Sequence, residues 1–310
     1  MWTHDPRDDD DRRDERSADP RDREREESRE RDHVDPRDVF QQGLALPRGR
    51  EREPVYLDRD RFDLRGSEVR TLATIGAFRV VPVDELRDDR GRDGDLGRGD
   101  LERLRSAGLI RAVAPFDRDG ERTTLVTLTD RGRELLEEHR RPEYEPRQAF
   151  YAGEIREREL SHDAQVYAAY RQAAERLMEH DVHIHRIVLE HELRREYQQF
   201  LQERNRDRPD SDGRPGRDQR EIEAWAREHD LPYFDDRVHF PDARIEYESP
   251  DGRRDIENIE VTTAHYRGAH AAAKAKAGFS QFKARGSRVG GGSSGGGTPF
   301  DPEIAEEFLE

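Results

Sequence analysis

Four histidines, His180, His183, His185 and His191, stand within twelve residues of one another. His183 and His185 would leave one face of a strand together, the convergence that a metal ion bound through imidazole nitrogen needs. Spacing alone assigns no carboxylate to that strand face, so packed or surface histidines are the preferred reading. The chain has no cysteine, which excludes disulfides, thiolate chemistry and Cys-ligated zinc, agrees with a reducing compartment, and leaves His and carboxylates as the ligands of any metal. Of 56 basic residues only Lys274, Lys276 and Lys283 are lysines. Codon bias in a GC-rich genome, or adaptation to salt, accounts for an arginine excess without reference to function, but the three lysines cluster in one short stretch. Residues 286–298 are almost all glycine and serine. With no strand before them and no lysine inside, they are expected to be a flexible linker and not a phosphate loop.

The elements that must position such groups start after a charged tail. Residues 1–37 hold fifteen acids and ten arginines with almost no apolar side chain, too little to offset the entropy of ordering, so a disordered tail is expected there. Residues 38–61 are expected to be a linker or a locally packed segment. From 67 to 81 the apolar positions Val69, Leu72, Ala73, Ile75 and Phe78 recur at helical spacing, with Ser67 as N-cap. Pro82 opens a short second helix over 83–86, and the glycine-rich run 91–99 is a turn. Asp100 is expected to cap a third helix over 101–107, stopped by Gly108 in a left-handed C-cap. Residues 109–113 and 123–128 then read as two strands around a turn at 117–120, and Thr129 caps a fourth helix through Leu135 and Leu136.

This order, with DLERLRSAGLI followed by TLVTLTDRGRELL, resembles the winged helix-turn-helix of MarR-like and related bacterial regulators. The resemblance implies duplex DNA as partner, a third helix in the major groove and a hairpin wing along the backbone. The side chains it singles out are Arg98, Arg103, Arg105, Arg118 and Arg122. An arginine fork can pair with guanine or grip a phosphate. Residues 51–140 hold 21 acids against 18 arginines, so this is no basic domain, and a protein-docking module is the competing reading.

Farther on, a helix capped by Ser161 carries Val166, Ala169, Tyr170, Ala173 and Leu177 on one face, expected to pack in a core or to form a dimer. Residues 182–189 read as a strand giving way to a helix over 190–203, and residues 205–217 as a loop. A helix with Ile222 and Trp225 follows, then strands over 240–247 and 256–262 around a turn at 249–252, and a helix over 271–282. This arrangement is similar to the PD-(D/E)xK restriction-endonuclease-like core and to plasmid replication-relaxation proteins, over about residues 182–282. The resemblance implies that Asp242 and Glu260 share a magnesium ion that activates water against a phosphodiester, with a lysine orienting that water. Thr262 stands where the motif lysine belongs, so Lys274 or Lys276 would supply the charge from a migrated position. Glu190 or Glu192 would complete the metal shell. The competing reading is a degenerate nuclease fold kept for binding.

The expected fold class is therefore α+β: a winged helix-turn-helix domain (62–140), an α/β restriction-endonuclease-like unit (147–283), the disordered N-terminal tail, and a Gly/Ser linker with a short acidic end (284–310). The formal net charge of −16 argues against indiscriminate coating of nucleic acid, whose affinity comes from phosphate attraction. No stretch approaches the eighteen apolar residues of a membrane helix, so a cytoplasmic protein with no membrane partner is expected. The leading functional expectation is a DNA-binding regulator or mobile-element maintenance factor without a cofactor, possible as a homodimer. A magnesium-dependent nuclease and a protein-interaction adaptor are the alternatives.

Overall fold

The computed structural model describes residues 35–86, 95–118, 121–205, 216–262, 274–275, 277–284 and 287–289. Most of the charged tail, the tip of the 117–120 turn, the 206–215 stretch, Lys276 and residues 290–310 lie outside the described residues. The chain mixes helix and strand throughout.

Residues Pro36–Gln41 form a 3-10 turn that buries Val39 and Phe40. The segment expected to be a linker or to pack locally contains a hairpin of β1 (Glu53–Leu57) and, running past its end, β2 (Asp60–Leu64). Its alternation turns Val55, Leu57, Phe62 and Leu64 inward. Helix α1 spans Gly66–Ala77. Its N-cap is Arg65 and not Ser67, because Glu68 reaches back to accept the Arg65 N–H at 3.0 Å. Strand β3 (Val81–Pro82) leads into a 3-10 turn, Val83–Glu85, where a short helix was expected.

Helix α2 covers Gly99–Ser106 and starts from Arg98. Asp100 is thus not its cap. It lies in the first turn, where its carboxylate takes the Arg65 guanidinium at 2.6 Å and ties α2 to α1. Gly108 adopts φ +71°, the left-handed geometry that its sequence position predicts. Strands β4 (Ile110–Arg118) and β5 (Glu121–Leu128) pair antiparallel, with a bulge between Ala112 and Ala114. Helix α3 (Asp130–Glu138) opens with the Thr129 hydroxyl accepting the Gly132 N–H at 3.1 Å.

The connector that follows is docked onto the next unit by Gln148. Its amide accepts the Ile187 N–H at 2.9 Å and donates to the Ile187 carbonyl at 3.0 Å, so a side chain completes a strand edge. Helix α4 (Glu157–Met178) begins one turn before Ser161, which lies inside it. Strand β6 (His183–Leu189) runs directly into α5 (Glu190–Gln202). Helix α6 (Gln219–Glu228) is closed by a reciprocal pair between Asp218 and Glu221. A two-residue hairpin of β7 (Tyr233–Phe234) and β8 (Arg237–Val238) precedes β9 (Ala243–Glu248) and β10 (Arg254–Thr262).

The helix expected over 271–282 is corrected. Lys274 and Ala275 are helical, but Gly278 turns the chain at φ +90°, and β11 (Ser280–Lys283) runs parallel to residues 259–262 of β10. The Gly/Ser linker is corrected in part: Ser287–Val289 form β12, which pairs with the outer edge of β4.

Two four-stranded sheets result, in the orders β12-β4-β5-β3 and β11-β10-β9-β6. Helix α4 lies between them. Its Leu160 and Ala164 pack on Phe116 and Leu125 of the first sheet, and farther along it packs on β9 and β10 of the second. One continuous core runs from Val39 to Val261, with Phe40, Phe78, Tyr167 and Tyr170 in edge or tilted ring contacts of 4.9 to 5.6 Å. The apolar face at Val166 to Leu177 is buried inside the chain itself and so gives no argument for a dimer. A smaller core under α5 and α6 joins Leu193, Trp225, Leu231 and Phe240. Among the described residues no helix is long and apolar enough to cross a membrane.

Candidate active site

Asp242 immediately precedes β9, and the pairing of Ala243 with Ile259, carried one step on, sets it across from Glu260 of β10. The Asp242 backbone is pinned by its carbonyl, which accepts the Glu190 N–H at 3.1 Å. Asp242 Oδ2 accepts the Val261 N–H at 2.7 Å, and Oδ1 lies 3.2 Å from His162 Nε2 on α4. Lys274 Nζ donates to Glu260 Oε1 at 2.7 Å and to the Phe240 carbonyl at 3.2 Å. The structure thus brings Asp242, Glu260 and Lys274 together, with side-chain exposures of 11%, 5% and 12%. Lys276 lies outside the described residues, and Lys283 is exposed on β11.

Two buried carboxylates at close quarters cannot both ionise cheaply. Burial, and then the Asp242 charge, push the Glu260 carboxyl up to about 8 despite Lys274. Burial also opposes charge on Asp242, but His162, Lys274 and the Val261 N–H outweigh it and hold Asp242 below the usual carboxylate range. His162 responds in kind: burial disfavours its cation, but Asp242 beside it, with Asp163 and Glu190, raises it to about 10. Around His162 and Lys274, Asp242 is thus held toward its charged form and Glu260 toward its protonated form.

The donor set suits a hard divalent cation. Glu260 Oε2 is buried without a hydrogen-bond partner, a costly state unless something positive sits against it. Among the described residues no group of three or more His, Asp or Glu side chains forms a ready cage. Magnesium, however, keeps several waters and takes one or two carboxylates, and Glu260 Oε2 is the oxygen of this pair that has no hydrogen-bond partner.

Glu190 and Glu192 separate. Glu190 sits at the site edge, its carboxylate taken by Arg194 at 2.8 Å, and its charge reaches both His162 and Glu260. Glu192 points into a different buried network, accepting the Tyr151 hydroxyl at 2.6 Å. The four clustered histidines do not converge: His183 and His185 stack edge to face at 4.9 Å, His180 binds the Arg176 carbonyl, and His191 packs on Tyr151.

Of the arginines expected to read DNA, Arg98 is 84% exposed and lies 3.7 Å from Asp95. Arg103 is 53% exposed but lies 3.4 Å from the buried Glu68 carboxylate, which also takes Arg52 at 2.6 Å. Arg105 and Arg122 are exposed on the outer faces of α2 and β5. The Arg118 side chain lies outside the described residues.

His162 escaped the reading of the sequence. It stands four and eight residues before Val166 and Tyr170, in line with the apolar stripe of α4, and a histidine at the polar end of such a stripe was the signal. The chain matches no family model, no curated protein and no solved structure.

Proposed function

We propose that this chain is a DNA-binding protein that cleaves a phosphodiester at Asp242, Glu260 and Lys274, as a magnesium-dependent nuclease of the PD-(D/E)xK type. The observation that carries this reading is the ammonium of Lys274 held 2.7 Å from Glu260 beside Asp242, contributed from a position outside the usual motif. Thr262, which stands at the motif position, bonds instead to the Phe282 carbonyl. The strand order β11-β10-β9-β6, antiparallel except for the last pair, supports the same reading.

Asp242 and Glu260 are the residues that would hold magnesium, which would supply polarisation of the phosphate and a lowered pKa for a bound water. The chain supplies the remainder. The Val261 N–H and His162 fix the Asp242 carboxylate, Glu260 presents its free oxygen, and the Lys274 ammonium sits where it can hold an attacking water and offset phosphate charge. DNA is delivered by α1, α2 and the β4–β5 hairpin, read as a winged helix, with Arg98, Arg105 and Arg122 free to meet the duplex. A second reading, a regulator that binds without cutting, is favoured by one feature: both Asp242 oxygens are already engaged, by His162 and by Val261.

The test is incubation of supercoiled and linear duplex with the purified chain, with magnesium or with chelator. Cleavage that needs magnesium and falls at least about a hundredfold in Lys274→Met, with duplex affinity retained, is the expected result. Salt-sensitive binding without cleavage establishes the regulator. Absence of binding at low salt sinks both and leaves the adaptor.

A further inference from the structure

Arg79 follows the C-terminus of α1, and its main chain is tied to the first sheet by a side chain: its carbonyl accepts the Thr127 hydroxyl of β5 at 2.8 Å. The preceding ring, Phe78, packs edge-on against Tyr167 of α4 at 4.9 Å. From this anchored backbone the guanidinium crosses to α4 and spans two carboxylates one turn apart, with NH2 2.7 Å from Glu159 and NH1 3.2 Å from Asp163. His162, the residue that holds Asp242 Oδ1, lies between these two acids in the same turns. Burial pushes the Asp163 carboxyl up to about 6 against the pull of Arg79 and His162, so Arg79 helps to keep a buried acid in this turn of α4 ionised.

We infer that Arg79 is a positioning residue for the Asp242 site: its fork clamps the turn of α4 that carries His162, and through His162 it sets the Asp242 carboxylate from the side of the DNA-binding elements. The inference rests on the hydrolytic reading of Asp242, but its geometry does not. A planar fork faces two acids at once, hydrogen-bonded to Glu159 and in ion-pair contact with Asp163, which a single ammonium cannot do, so the residue type matters as well as the charge. When the clamp is lost, Glu159 and Asp163 repel each other across one turn, α4 loosens at its N-terminal end, and His162 drifts from Oδ1. Helix α4 stays seated farther along, where Arg176 pairs with Glu257 of β10 and Tyr167 and Tyr170 are buried.

The Val261 amide offers a readout that needs no activity, because its N–H donates to Asp242 Oδ2. The experiment compares wild type, Arg79→Gln, Arg79→Lys and Asp163→Asn in the full chain. It measures amide exchange at Val261 and at Ile256 under chelator, melting temperature, duplex Kd under chelator, and kcat and KM for magnesium-dependent cleavage. Arg79→Gln is expected to lower Val261 protection about tenfold while sparing Ile256, and to lower kcat about tenfold with KM and Kd unchanged. Arg79→Lys should fall between Gln and wild type. If Arg79→Gln does not fold, Asp163→Asn carries the same expectation in milder form. Unchanged Val261 protection in the folded variants, or equal losses at Val261 and Ile256 that track melting temperature, overturns the inference and makes the clamp merely structural. No cleavage by wild type removes the nuclease reading, and the Val261 result still decides whether Arg79 positions Asp242.

Discussion

Glu260→Gln should make the metal-free protein more stable at neutral pH and leave it unchanged at pH 4. Glu260 is buried beside Asp242 and pushed from its ordinary 4.5 up to about 8. The folded state therefore keeps a proton that the unfolded chain releases above pH 4.5. Where the folded state binds more protons, stability falls as pH rises, so the loss begins near pH 4.5 and is complete once pH passes 8. A decade of pH in that window is worth about 1.4 kcal/mol. By pH 7 the withheld stability is on the order of 3 kcal/mol, an upper bound because the two carboxylates titrate together. A glutamine has the shape of the protonated acid, can still accept from Lys274, and has nothing to ionise. Urea unfolding with chelator present, at pH 4 and pH 7.5, reads the gap directly. In a thermal melt it corresponds to about 2 °C or less per kcal/mol, because this chain is longer than those for which the figure is about 2 to 4 °C. Magnesium should stabilise wild type and not the variant. Equal destabilisation of the variant at both pH values would refute the reasoning, since it would mean that Glu260 is ionised and that its pair with Lys274 supports the fold.

Other substitutions test the remaining parts. Arg105→Ala should weaken duplex binding by about 1 to 3 kcal/mol without moving the melting temperature, read by fluorescence anisotropy at two salt concentrations. Arg103→Ala should cost less affinity, because that guanidinium is already turned toward Glu68. Gly132→Ala should destabilise by roughly 3 kcal/mol or more in urea unfolding, since its Cβ would stand 2.1 Å from the Leu109 carbonyl, and backbone must move to admit it.

What the sequence made legible follows from the range of the forces involved. Thr129 and Gly108 act within a turn of their own position, and both stand where local chemistry puts them. Ser67 and Asp100 are equally good capping types, yet neither caps: Glu68 closes onto the Arg65 N–H two residues ahead of Ser67, and a tertiary partner, Arg65, takes Asp100. The end of the chain went wrong for the same reason. Residues 271–282 are rich in alanine and lysine and favour a helix, but Gly278 and the open edge of β10 turn the last three into a strand.

The candidate site divides along the same line. Asp242 and Glu260 could be paired from the sequence because a turn at 249–252 sets the register of one hairpin. Lys274 could be named because lysine is rare in this chain, although no local rule brings it back across the sheet to Glu260. His162 could not be paired, since its partnership with Asp242 joins a helix to a strand eighty residues later. Arg79 lies another eighty residues in the other direction from Glu159. The groups that would cut are thus written in neighbouring segments, whereas His162 and Arg79 come from much earlier in the chain. One core shared by both halves, from Val39 to Val261, is what lets a residue at the end of the first helix bear on a carboxylate at the start of the ninth strand.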